Sequence, residues 1–151
     1  MDFPVIDWTW VVRNLLHVGA AYLLALPVAW DREREARGAG LRTFPLVAVA
    51  SCGYVLMTHR LFADSPDAQA RVLQGLMTGI GFVGGGAILK KGADVRGLAT
   101  AASVWNTGAV GAAVAFGRYE IALVLSLLNF LTLRFLTPLK ENLKGDDDVG
   151  A

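Results

Sequence analysis

The chain has 151 residues, of which 54% are hydrophobic and 18% charged, with a net charge of +1. Its length leaves room for one domain, and a mean hydropathy of +0.47 places it with membrane proteins. The near-neutral charge and the lack of a basic stripe argue against a nucleic-acid partner, and a single cysteine, Cys52, excludes a disulfide within the chain.

Five apolar segments alternate with charged or turn-rich pieces. In lipid every backbone polar group has to be satisfied within a helix or a closed barrel. These segments lack the period-two alternation of barrel strands. The fold class expected is therefore all-α, a polytopic transmembrane helix bundle of about five spans. Residues 1–138 would form the membrane domain and 139–151 a polar cytoplasmic tail.

The first span is expected at Val11–Trp30, with Trp8, Trp10 and Trp30 as interfacial aromatics. Arg13, Asn14 and His17 occupy its first turns, where polar side chains reach the headgroups. His17 reads as interfacial, because no second metal-binding side chain stands one helical turn away. Pro27 is expected to kink or end the helix. No Lys or Arg precedes Arg13, so this segment lacks the basic start of a cleavable signal and is expected to be retained.

Residues 31–45, DREREARGAGLRTFP, read as a solvated loop that sets orientation, or as an interaction surface beside the membrane. Glu33 and Arg37 would pair if the helix ran on into water, and Gly38 and Gly40 would end it. Pro45 fits the first turn of a second span at Phe44–Leu61, in which Cys52 reads as a small core residue. Ser65-Pro66-Asp67 marks a turn. Two spans rich in small residues follow, at Val72–Leu89 and Leu98–Phe116, joined by a basic turn that holds Lys90, Lys91 and Arg96. Tyr119–Leu136 is a leucine-rich fifth span expected to face lipid.

With five spans, one membrane face holds Arg32, Arg34, Arg37, Arg42, Lys90, Lys91, Arg96, Lys140 and Lys144, nine cations in all. The opposite face holds four, Arg13, Arg60, Arg71 and Arg118, while Arg134 lies inside the fifth span. The excess of Lys and Arg on cytoplasmic loops then puts the N-terminus outside and the C-terminus in the cytoplasm.

Gly79-Ile80-Gly81-Phe82-Val83-Gly84 matches a dinucleotide fingerprint literally, but no strand precedes it and it sits in an apolar run. A better reading pairs Gly75 with Gly79 and Gly81 with Gly85 as small-residue seams for close helix packing. Gly84, Gly85 and Gly86 in succession predict a bend or break there. Asn106 and Asn129, central in their spans, read as interhelical clasps or as parts of a permeation path. Trp105 lies away from the interfaces and needs a partner for its indole N–H. Mg²⁺ takes oxygen ligands in a strict octahedron, usually with one or two carboxylates, and the mid-membrane stretches contain no Asp or Glu; Asp31 and Glu33, at the end of the first span, are the weak metal candidates. No Ser/His/Asp set, paired acids or zinc-type spacing points to catalysis, so no enzyme and no cofactor is expected.

Three motifs resemble those of one family. Asp31-Arg32-Glu33 followed by Gly40-Leu41-Arg42-Thr43 resembles the E-R-E…G-L-R-T signature of the MgtC/SapB family of bacterial inner-membrane proteins. Gly79-Ile80-Gly81-Phe82-Val83-Gly84-Gly85-Gly86 is similar to its G-I-G-F-L-G-A-G. Gly97-Leu98-Ala99-Thr100-Ala101-Ala102-Ser103, with Trp105 two further on and Asn106 beside it, is similar to G-L-T-T-A-A-S-x-W. The match covers about residues 20–138 in the family's order. Asp31 replaces a Glu, Ala29 a Gly, Gly85 an Ala and Ala99 a Thr. Family members tied to virulence carry a further ACT-like cytoplasmic domain, which this chain is expected to lack.

The resemblance implies a link to magnesium homeostasis and to survival under stress. It also implies a regulator acting on other membrane machinery, such as the proton-translocating ATP synthase; the alternative is a Mg²⁺ or other ion transporter. The expected partners are the lipid bilayer, another membrane complex and a second copy of the chain.

Overall fold

The computed structural model describes residues 7–35, 39–91 and 94–136. Arg37, Gly38 and the tail 139–151 lie outside the described residues. The element order is α1 (Trp8–Glu35), α2 (Thr43–Leu61), α3 (Pro66–Gly85), β1 (Leu89–Lys91), β2 (Asp94–Arg96), α4 (Leu98–Ala115) and α5 (Tyr119–Leu131), with a π-helical turn at Thr132–Leu136.

α4 is at the centre, in contact with α1, α2, α3 and α5. Its sequence explains the position. Ten of its residues are buried, and all ten are Gly, Ala, Ser, Thr or Val, small enough to admit neighbours on every side. Around it α3 packs on α2, α2 on α1, and α1 on α5. Between α3 and α5 a shallow apolar cleft of about 250 Å³ opens over α4, lined by Ile80, Trp105, Gly108, Ala112 and Leu125 among others.

Four helices, α1, α2, α4 and the α5 segment, are long and apolar enough to cross a membrane. The protein is thus an all-α membrane bundle. α3 falls short in apolarity, since Asp67, Gln69, Arg71 and Gln74 lie in its first half. It nevertheless has 20 residues, about 30 Å of helix, and runs antiparallel along α4. Gly84 lies against Ala101 near the start of α4, and Ile80 covers Gly108 one to two turns further on.

Two apolar clusters mark the two halves of the bundle. Ala21, Ala25, Ala48, Cys52, Val55, Val110, Val114 and Ala122 belong to the first. Val28, Ala29, Phe44, Ile80, Val104 and Leu133 form the second, at the end where α1 finishes and α2 begins. Hydroxyls within the helices bond back to the carbonyl four residues earlier, Ser51 to Val47 (2.8 Å), Thr58 to Tyr54 (2.7 Å) and Thr107 to Ser103 (2.8 Å). That is how a polar side chain is tolerated in a membrane helix.

Three expectations are corrected. Pro27 neither ends α1 nor stops its packing: the helix runs on to Glu35, held by Val28 and Ala29 in the second cluster. Residues 31–35 are accordingly helix and not loop, and Asp31 and Arg32 are each only 5% exposed. α3 stops at Gly85 and not at Leu89, and the basic turn is a short antiparallel hairpin with Leu89 opposite Arg96 and Lys90 opposite Val95. The triple glycine Gly84–Gly86 thus terminates the helix. The third correction concerns the seams. Gly75, Gly79, Gly81 and Gly85 each face open space, whereas the close approaches inside the bundle are at Gly84, Gly108 and Gly111.

Candidate functional site

The motif residues converge on one end of the bundle. At the end of α1, Arg32 Nη2 donates to Asp31 Oδ2 at 3.2 Å, and both side chains are buried. One helical step on, Glu33 leans across to the start of α2, where its Oε2 accepts the Leu41 backbone N–H at 2.9 Å. This geometry requires Gly40. A Cβ there would collide with the same Glu33 oxygen, while the Gly40 carbonyl accepts the amides of Thr43 (3.0 Å) and Phe44 (3.2 Å) to open α2. The D-R-E and G-L-R-T stretches are therefore one structural unit, closed by a carboxylate on a peptide amide.

The glycine motif and the G-L-A-T-A-A-S motif meet at the same end. Gly84 fits against the Ala101 carbonyl, where a Cβ would sit 3.0 Å from the oxygen. Gly97, the residue before α4, has φ +85°, and a Cβ on it would run into the Ala87 carbonyl. Only glycine takes that left-handed conformation without strain. Gly86 donates its N–H to the Phe82 carbonyl at 3.1 Å, finishing α3. Thr100 is buried in the first turn of α4.

Deeper in the bundle the polar residues of α4 are engaged with α5. Ser103 Oγ donates to Asn129 Oδ1 at 2.8 Å, and Asn129 Nδ2 returns to the Ser103 carbonyl at 3.4 Å. Asn106 Nδ2 donates to the Leu125 carbonyl at 3.1 Å. Ser126 on α5 donates in turn to the Leu24 carbonyl of α1 at 2.6 Å. Asn106 and Asn129 therefore act as clasps between α4 and α5, and Ser126 ties α5 to α1.

Other motif residues face outward. Phe82 is 86% exposed and Trp105 is 46% exposed beside the cleft over α4. Gly79 and Gly75 lie in an apolar groove of about 430 Å³ between α2 and α3, flanked by Val47, Ser51, Tyr54 and Val83. Gly81 faces open space outside this groove. Spacing alone does not distinguish the open Gly75/Gly79 pair from the occupied Gly108 and Gly111, and the sequence reading missed the latter two. Their signal was the continuous run of small residues in α4.

Asp31 and Glu33 do not fit a Mg²⁺ site. One carboxylate is paired with a guanidinium and the other with a peptide N–H, where Mg²⁺ needs free oxygens in an octahedron. Among the described residues no group of three or more His, Cys, Asp or Glu side chains converges.

The MgtC family model matches residues 18–142. Protein SrpB of Synechococcus elongatus is 34% identical over 142 residues, 86% of this chain and 76% of that protein. Protein MgtC of Salmonella typhimurium is 35% identical over 114 residues, and Protein MgtC of Brucella abortus 34% over 137. Those alignments take in 76% and 91% of this chain, but only 48% and 57% of the relatives, so the chain spans about half the length of the MgtC proteins it matches. No solved structure matches. The family match extends from within α1 past the end of α5 and includes all three motifs at the shared end of the bundle, so the chain belongs to the MgtC family.

Proposed function

We propose that the protein is a small bacterial inner-membrane regulator of the MgtC type, which acts by docking a helix of another membrane complex against α3. The carrying observation is that Gly75, Gly79, Gly81 and Gly85 all face open space, on a helix whose contacts with the rest of the chain do not use them. Glycines weaken a helix, and in lipid a small-residue face gains its value from close approach of another helix. The groove against α2 offers such an approach on one side of α3. The link to magnesium homeostasis and stress survival, and a target such as the ATP synthase, follow from the family resemblance. The count of loop cations supports an N-terminus outside and a C-terminus in the cytoplasm.

The ion-transport alternative draws little support from the interior. Ser103, Asn106, Ser126 and Asn129 are bonded to one another or to backbone, and the grooves are apolar.

Affinity capture of the full chain from membranes tests the reading. Gly79→Leu, which fills the groove, is expected to remove the co-purifying complex while leaving the fold intact; Gly81→Leu probes the second open pair. Capture of the same complex by both variants sinks the proposal. Ion flux into liposomes holding the purified chain, above that of empty liposomes, would favour the alternative.

A further inference from the structure

The end of the bundle opposite the motifs carries a cluster that the reading above does not use. Trp10 and Arg13 lie near the start of α1, and Arg60 lies at the end of α2. The Arg13 guanidinium carbon is 3.9 Å from the centroid of the Trp10 ring and that of Arg60 is 5.0 Å from it. One indole thus holds two cations, with their charged carbons within about 9 Å of each other. We propose that Trp10, Arg13 and Arg60 form a binding site for the phosphate of an anionic phospholipid, at the membrane face where α1 begins.

Charge is the first support. Among the described residues, neither guanidinium is paired with a carboxylate. The described acids at this end are otherwise placed. Asp7 accepts the Thr9 and Trp10 amides at 2.9 and 3.4 Å. Glu120 is held by Arg118. Asp64 and Asp67, in the turn and first turn of helix after α2, make no ion pair with Arg60. His17, the other titratable group nearby on α1, uses Nδ1 on the Arg13 carbonyl at 2.8 Å and lies against Tyr119. Two cations gathered on one ring without an anion repel each other. A guanidinium over an aromatic face keeps its N–H edge available, and that fork matches phosphate oxygens.

The second support selects a lipid over a free anion. Trp8, Val12 and Leu16 recur every four residues on α1 and are all exposed. With Thr9 and Arg13 they line an open apolar surface running inward from the cluster. An acyl chain fits that surface while its phosphate meets the two arginines. Tryptophans at the headgroup level set the depth.

The full chain in detergent, titrated with phosphatidylglycerol or phosphatidylcholine and weighed by native mass spectrometry, tests this. The wild type is expected to retain one phosphatidylglycerol with a preference of roughly thirtyfold, from two cations near an anionic headgroup. R13Q/R60Q should abolish the preference, each single variant should lose about fivefold, and R13K/R60K should keep part of it. Circular dichroism checks that each variant retains its helix. Preference unchanged in R13Q/R60Q, or in both singles if the double fails to fold, overturns the proposal. Displacement of the lipid by equimolar inorganic phosphate would overturn it in favour of a free anion site. A wild type that retains no phosphatidylglycerol, but dimerises through these arginines, would overturn it in favour of a second copy.

Discussion

Gly111 in α4 rests on the backbone of Ala48 in α2. A Cβ at Gly111 would collide with the Ala48 carbonyl oxygen and come within 3.0 Å of its Cα. The neighbour there is main chain, which cannot swing aside as a side chain can. Gly111→Ala is therefore expected to destabilise the bundle by about 1–3 kcal/mol, the usual cost of overpacking. Unfolding in mixed micelles would measure it. Gly75→Ala is the control, because that site is open; it should be neutral or stabilising by up to about 1 kcal/mol.

Glu33 and Gly40 should behave as a pair. Gly40→Ala forces the Glu33 carboxylate off the Leu41 amide, a charge-assisted bond worth about 1.5–3 kcal/mol. Glu33→Ala removes the same bond. In a double-mutant cycle the second substitution should cost markedly less than the first. Additive losses would mean that the two residues act separately.

Gly97→Ala meets two obstacles at once, the left-handed φ of +85° and the Ala87 carbonyl. The conformational part alone is about 1–2 kcal/mol. The hairpin of β1 and β2 should loosen with it. Hydrogen exchange at the amides of Leu89 and Arg96, a hydrogen-bonded pair of that ladder, is expected to accelerate, with α1 little affected.

Asn129→Leu breaks the reciprocal contact with Ser103. Interhelical bonds of this type in membranes average about 0.6 kcal/mol and reach about 1.7. A loss in that range is expected from equilibrium unfolding, and Ser103→Ala in the same background should add little.

The helices were legible where hydropathy and aromatic belts act locally, as in α2 from Phe44 and α5 from Tyr119. α1 was read short because the rule at Pro27 counts a lost hydrogen bond and not the packing of Val28 and Ala29 beyond it. The gathering of Glu33, Gly40 and Gly97 at one end followed from counting spans, since alternate loops share a face. The Glu33–Leu41 bond did not follow, because it depends on how closely two chain segments approach across a turn. The glycines are the clearest limit: Gly79 and Gly111 both sit in runs of small residues, and only tertiary geometry separates the open one from the filled one. The Trp10–Arg13 spacing of three was visible on a helix face, but Arg60 reaches that ring from another helix altogether.

The helices of this bundle differ in reach. α1 has 28 residues and α4 has 18, about 42 Å and 27 Å of helix. The apolar part of α1, about residues 11–30, already matches a hydrocarbon core of roughly 30 Å, so the extra length is its charged end, residues 31–35. Its final turns carry Asp31, Arg32 and Glu33, the last of which is tied to the opening of α2. The motif thus stands on an overhang of α1, tied sideways to α2 and not anchored by the hydrocarbon core.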